Sequence, residues 1–274
     1  MALKLIFSVR KLTSNQRVLP SFLIIGAQRS GTTSLYRYIK QHPSLHPSLF
    51  KEVHFFDQNY HNGLGWYRAF FPLKLTMGIS KLLNNEAAIT GESSPYYLFH
   101  PLVPERVKKT LPDSKIIVLL RNPVDRAYSH YQHESKLGFE KLPFEEAIEK
   151  EPERLSGEKE KIISDEKYFS FNHNHYSYLS RGLYIDQIKE WMKYFSKEQM
   201  FIISSEDFFS DPKKTVNMVF DFIGIREYDI PNVEIHNAGK YSPIKPEIRD
   251  KLNKYFEESN KKLYEFIGKS YLWD

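Results

Sequence analysis

The apolar positions of this chain fall into short unbroken runs separated by longer stretches of helical periodicity. Residues 22–25, 115–120 and 200–204 are runs rich in Ile, Leu, Val and Phe, which read as strands buried on both faces. A weaker run at 88–92 reads as a fourth strand, and 51–57 as a short extended segment. Between and after these, apolar residues recur at three- and four-residue spacing. The pattern predicts helices over 35–39, 65–71 (stopped by Pro72), 104–111, 179–195, 212–223 and 246–267. Strands alternating with helices imply an α/β fold of three layers, helices covering both faces of a central parallel sheet.

Length and composition leave that picture as one domain. The 274 residues are 41% apolar, and no Ser/Gly-rich linker, low-complexity tract or internal repeat divides residues 1–274. Residues 1–19 read as a flexible arm. Residues 149–175 read as a mobile insertion, because Glu and Lys alternate around Pro152 and Gly157 through 149–167 with few apolar anchors. A net charge of +5 suits an anionic ligand, but the basic residues are scattered and carry no nucleic-acid motif, so no nucleic-acid partner is expected. The absence of cysteine excludes disulfides, thiolate zinc sites and a cysteine nucleophile, and agrees with a cytoplasmic location. No run approaches the roughly 20 apolar residues of a membrane span, and the N-terminus has no secretory apolar core.

Candidate chemistry concentrates just after the strands, where ligands of open α/β sheets bind. Gly26-x-x-x-x-Gly31 lies between the first strand and the first helix, the order of a phosphate-binding loop. Thr32 stands where such loops carry the lysine that contacts the outer phosphates of a triphosphate, and a cation enters the loop instead as Arg29. The loop still offers backbone N–H groups and a helix N-terminus to an anion. The 115–120 strand runs into Arg121-Asn122-Pro123-Val124-Asp125, with Asn122 as N-cap and Pro123 in the first turn. Ser129 lies about two turns on, where its hydroxyl is able to share an anion with Arg121. The alternative there is an ion pair between Arg121 and Asp125. In an extended 51–57 segment Glu52 and His54 project from one face and Lys51 from the other. Either Glu52 or His54 is a candidate base, and Lys51 with Glu52 also reads as a surface charge pair. Trp66 belongs to an aromatic set that reads either as a sugar-stacking wall or as core. His173 and His175 lack a third partner for a metal, and no metal site is expected.

Taken together these segments resemble sulfotransferases that use 3′-phosphoadenosine 5′-phosphosulfate (PAPS). Gln28-Arg29-Ser30-Gly31-Thr32-Thr33 is similar to their 5′-phosphosulfate loop, continued by Ser34, and 121–129 to their 3′-phosphate motif. Lys51-Glu52-Val53-His54-Phe55-Phe56-Asp57, Gly65-Trp66-Tyr67, Arg181-Gly182-x-Tyr184 and Lys240-Tyr241-x-Pro243 resemble the heparan sulfate branch. The resemblance implies the P-loop NTPase-like sulfotransferase fold and transfer of a sulfuryl group to a hydroxyl, or an amine, of a glycan or other small acceptor. It implies Glu52 as general base, Arg29 at the bridging oxygen, and donor contacts from Gln28 through Ser34, Arg121, Ser129, Tyr184, Lys240 and Tyr241. Lys51, His54, Ser93 and Trp66 then face the acceptor, and 3′,5′-adenosine diphosphate (PAP) leaves as product. One position departs from the pattern: Ser93 replaces a lysine that relatives carry after the glutamate equivalent to Glu92. The rival readings are a P-loop kinase using ATP, which Thr32 opposes, and a non-catalytic nucleotide- or glycan-binding module.

Overall fold

The computed structural model describes residues 2–233, 242–271 and 273. Four strands, β1 (Phe22–Gly26), β2 (Gly91–Ser93), β3 (Lys115–Leu120) and β4 (Met200–Ser204), form one parallel sheet in the order β2-β1-β3-β4. Leu23 faces Glu92 on one side and Ile116 on the other, and Ile117 faces Phe201.

The apolar runs are continuous because both faces of the sheet are covered. Leu23, Ile25, Ile116, Val118 and Leu120 point into one core, against Ile185, Ile188 and Trp191 of the helix Tyr184–Met192. Their alternates Phe22, Ile24, Ile117 and Leu119 point into the other, against Leu35 and Ile39 of the helix Thr32–Ile39 and Val216 and Phe220 of the helix Pro212–Ile223. This is the expected three-layer architecture. From β1 the chain turns first to β2 on one side and then crosses to β3 on the other, so the topological switch point lies between β1 and β3.

Several elements differ from expectation. The 51–57 segment is not extended: Glu52 and His54 have φ of 61° and 51°, and Phe55–Gln58 is a helical turn. The 179–195 helix is a 3-10 turn, Ser180–Gly182, followed by the α-helix Tyr184–Met192. The break falls at Leu183, whose ψ of 70° leaves the helical region; the preceding Gly182 packs so closely that a Cβ would come within 2.7 Å of Phe256 in the helix Pro246–Ile267. The weak strand shifts to Gly91–Ser93. Residues 149–175 form short helices, Glu151–Leu155, Glu158–Ser164 and Phe171–His175, with Glu151, Glu158 and Ile162 buried. Within 1–19, the helix Ala2–Leu12 is moored by Arg10, which donates to the carbonyls of Ala69 (2.6 Å) and Phe71 (2.7 Å).

Candidate active site

The phosphate-binding loop is shaped by close approach. Ala27 N–H donates to the Leu119 carbonyl at 2.6 Å, pulling the loop toward β3. Gly31 has φ of 93°, and a Cβ there would meet the Phe209 ring at 2.8 Å, so only glycine fits without strain. Ser205 Oγ donates to the Ser30 carbonyl at 2.6 Å and fixes the loop from below. The helix Thr32–Ile39 has no side-chain cap at its start, which leaves the N–H groups of its first turn available to an anion. Thr32, Ser34 and Ser30 are buried, and Ser30 Oγ has no hydrogen-bond partner within the described residues. Thr33 is half-buried on the same turn.

Two arginines converge on this loop from different strands. Arg29 Nε donates to Ser129 Oγ at 3.2 Å, and Arg121 Nη1 donates to the Arg29 carbonyl at 3.1 Å. Arg121 does not pair with Asp125, which bonds Arg249 Nη2 at 2.5 Å; the N-cap geometry turns Asp125 toward the helix Pro246–Ile267. Asn122 is the N-cap, its Oδ1 accepting from Val124 N–H at 2.9 Å and Asp125 N–H at 3.3 Å. Tyr184 is buried, and its hydroxyl donates to the Arg121 carbonyl at 2.9 Å. It thus braces the backbone of the second motif. Gln28 Oε1 accepts from Arg181, a buried arginine whose Nη2 also donates to the carbonyls of His173 (2.9 Å) and Asn174 (2.6 Å). Lys240 and Tyr241 lie outside the described residues.

One strand over, the chain leaving β2 holds the 51–57 segment, which forms a second corner. Glu52 N–H donates to the Ser93 carbonyl at 3.0 Å, His54 N–H to Ser94 Oγ at 3.4 Å, and Phe55 N–H to the Tyr97 hydroxyl at 2.9 Å. On this scaffold the left-handed turns bring Glu52 Oε2 within 3.7 Å of His54 Nε2. The shared face expected of an extended segment therefore arises from a different backbone. His54 Nδ1 meets Asp57 Oδ2 at 2.6 Å, and Lys51 pairs with Glu52 Oε1. Burial opposes charge on His54, but Asp57 and Glu52 outweigh it and raise its pKa to about 10. Burial likewise works against the Glu52 carboxylate, yet His54 and Lys51 hold it down to about 2. At neutral pH the corner is an ionised carboxylate beside an imidazolium. His133 links the corners: burial lowers its pKa first and the Arg29 charge lowers it further, while Glu134 and Glu52 oppose.

Ser93 is fully buried, with no partner for its hydroxyl among the described residues. Its neighbour Glu92 is buried among the hydroxyls of Tyr67 (2.5 Å), Ser94 (3.0 Å) and Tyr97 (3.3 Å); burial raises its pKa to about 7 against those bonds. Trp66 is half-buried, packed against Phe7, Phe55 and Phe70. His173 bonds the Tyr96 hydroxyl at 2.6 Å and His175 bonds Glu134 at 2.8 Å, so the pair serves two separate contacts. Among the described residues no cluster of His, Asp or Glu suited to a metal is present. Sequence reasoning assigned no role to Asp57, whose three-residue spacing from His54 in a helical turn was the available signal. Nor did it find Ser205 or Glu206, which accepts from Asn122 N–H at 3.0 Å, since both join the site through β4.

The sulfotransferase domain family matches residues 19–238. The chain is similar to the membrane-associated sulfotransferase kil1 of Dictyostelium discoideum, 28% identical over 320 residues, covering 93% of this chain and 66% of that protein. It is 27% identical over 284 residues to the bifunctional heparan sulfate N-deacetylase/N-sulfotransferase 1 of Caenorhabditis elegans, covering 94% of this chain and 30% of that one. It is also 27% identical over 287 residues to heparan sulfate glucosamine 3-O-sulfotransferase 3A1 of Mus musculus, with 96% of this chain and 66% of that one covered. The chain thus spans just under two thirds of the length of two of these curated relatives and under a third of the other. Among solved structures, a sulfotransferase from Alicyclobacillus acidocaldarius superposes with a TM-score of 0.69 at 29% identity, covering 93% of this chain and 99% of that one.

Proposed function

The chain belongs to the sulfotransferase domain family, and from that premise we propose that it transfers the sulfuryl group of PAPS to a hydroxyl of a glycan or other small acceptor, with Glu52 as general base. The observation that carries this reading is the convergence of Arg29, Ser129 and Arg121 beyond β1 and β3, with an ionised carboxylate beyond the neighbouring β2. The residues fit such a donor: Ser30 Oγ is buried and unpartnered, and the helix N-terminus is uncapped. Arg121 and Ser129 would hold the 3′-phosphate, and residues 28–34 the 5′ end, joined by Lys240 and Tyr241. Arg29 would stabilise the negative charge that grows on the leaving oxygen, a role suited to a group that stays protonated.

His54, already protonated, is a poor acceptor of a proton, which favours Glu52 as the base. Glu52 takes the proton of the acceptor hydroxyl as its oxygen bonds to sulfur and the bond from sulfur to the phosphate oxygen breaks. An acceptor that displaces Lys51 removes one of the charges holding the carboxyl down and so strengthens the base. Two relatives are named for heparan sulfate, which supports a glycan acceptor. The buried serine at position 93 leaves that side of the cleft without the lysine of the pattern. Calorimetry decides the donor: PAP should bind equally well with and without a chelator, whereas binding of ATP only with magnesium would overturn the reading in favour of a kinase. Transfer from PAPS to desulfated heparan sulfate or a phenol then tests the enzyme against a silent binding module.

A further inference from the structure

The helix Lys74–Asn84 is amphipathic in the wrong sense for a packed element. Leu75, Ile79, Leu82 and Leu83 follow the spacing of a core-facing stripe and span about 100° of the helix. They are nevertheless 72%, 49%, 83% and 79% exposed, while the polar Ser80 is buried. Ser80 and Asn84 face the body of the protein: Asn84 Nδ2 donates to Ser80 Oγ at 3.1 Å and to the Pro43 carbonyl at 3.2 Å. The apolar stripe lies on the opposite side of the helix.

The charges beside the stripe are of one sign. Lys74 and Lys81 are exposed, seven residues apart on the flank of the helix between the stripe and the protein body, and the helix has no acidic residue. The next acidic residue, Glu86, is turned away, accepting from Ser44 Oγ at 2.6 Å and facing Arg226 at 3.8 Å. The helix Ala2–Leu12 repeats the composition: Ile6, Val9 and Leu12 are exposed, and it too lacks an acidic residue. Arg10 of that helix bonds the Phe71 carbonyl, and Arg17 bonds the same carbonyl and bridges to Leu73, so both helices are moored to the segment from which Lys74–Asn84 departs.

An apolar stripe edged only by lysines matches a surface with an apolar interior and anionic head groups. We propose that the helix Lys74–Asn84 lies in the plane of an anionic lipid bilayer surface, with Leu75, Ile79, Leu82 and Leu83 in the acyl boundary and Lys74 and Lys81 at the head groups. This is peripheral attachment: among the described residues no helix is long and apolar enough to cross a membrane. A partner that offers apolar contact alone would leave the one-sided charge without a role.

Flotation of the full chain with lipid vesicles tests this. The chain should float with phosphatidylcholine vesicles containing phosphatidylserine at about 0.1 M salt, and much less at about 0.5 M salt or without phosphatidylserine. The triple variant L75S/L82S/L83S should lower the bound fraction about tenfold without lowering the melting temperature, since these side chains make no core contacts. K74E/K81E should weaken binding to phosphatidylserine vesicles selectively. Failure of the wild type to float at low salt, or flotation undiminished in the triple variant, overturns the proposal. So does a lipid-free dimer in sedimentation that the triple variant dissolves, which would assign the face to a second copy of this chain.

Discussion

At the ends of β1 and β3 the proposed anion site is made largely from backbone: a glycine loop, two strand-to-helix junctions and an uncapped helix start, with Arg29 and Arg121 laid over them. Beyond β2 the opposite strategy operates, with Lys51, Glu52, His54 and Asp57 packed charge against charge on a backbone held twice in left-handed conformations. The first arrangement rests on backbone groups at two strand ends and a helix start, to which Arg29 and Arg121 add charge. The second sets its charges on a backbone tied to Ser93, Ser94 and Tyr97, and each member sets the protonation of the others.

The sharpest way to break this contrast is Glu52→Gln. Loss of the base should lower kcat by about 10²–10⁴-fold in a PAPS-dependent transfer assay while PAP affinity stays unchanged; a variant turning over near the wild-type rate would place the base elsewhere. On the other side, Arg121→Ala should weaken PAP by about 1.5–3 kcal/mol in calorimetry, with kcat at saturating donor little altered. If both parameters fell together, the two corners would not be separable. Asp57→Asn removes the partner that does most to raise His54, so the imidazolium should release its proton well below the present pKa of about 10. An NMR titration of the His54 imidazole should show its midpoint move down toward the ordinary histidine value. The unfolding curve should follow: His54 binds a proton more tightly folded than unfolded, so its contribution is complete below about 6.5 and vanishes as pH rises through about 10. Asp57→Asn should flatten that slope.

The smallest effect concerns Glu92, whose raised pKa of about 7 belongs to neither corner but to the hydroxyl nest beneath them. Between the usual carboxylate pKa and about 7 the folded chain keeps a proton that the unfolded chain has released. Stability therefore declines as pH climbs through that interval and levels off above it. Glu92→Gln should abolish the decline in chemical denaturation series.

The same contrast governs what was legible in the sequence. The three strong strands, the glycine loop and the Asn122-Pro123 junction announce themselves, because continuous apolar runs, φ-permissive glycine and N-cap chemistry are local signals. The 51–57 segment departs from the extended pattern because the positive φ of Glu52 and His54 is held by hydrogen bonds to Ser93, Ser94 and Tyr97, some 40 residues away in the chain. Periodicity carries no trace of such contacts. The break at Leu183 is hidden likewise, beside a close approach of Gly182 to Phe256 that periodicity does not encode. For 149–175 the alternation of Glu and Lys suggested solvent, whereas Glu151 is buried by accepting the N–H groups of Leu179 (2.6 Å) and Ser180 (2.8 Å). A charge pattern does not reveal which carboxylates find backbone donors.

Arg181 has a consequence for redesign. Its guanidinium is stitched at once to Gln28 and to the carbonyls of residues 173 and 174, with its flat face against the Tyr96 ring. Replacing the 171–176 stretch would therefore tug on Gln28, and so on the loop proposed to bind the donor, as well. Tolerant engineering would leave that rivet and its three tethers untouched and vary only the side chains around it.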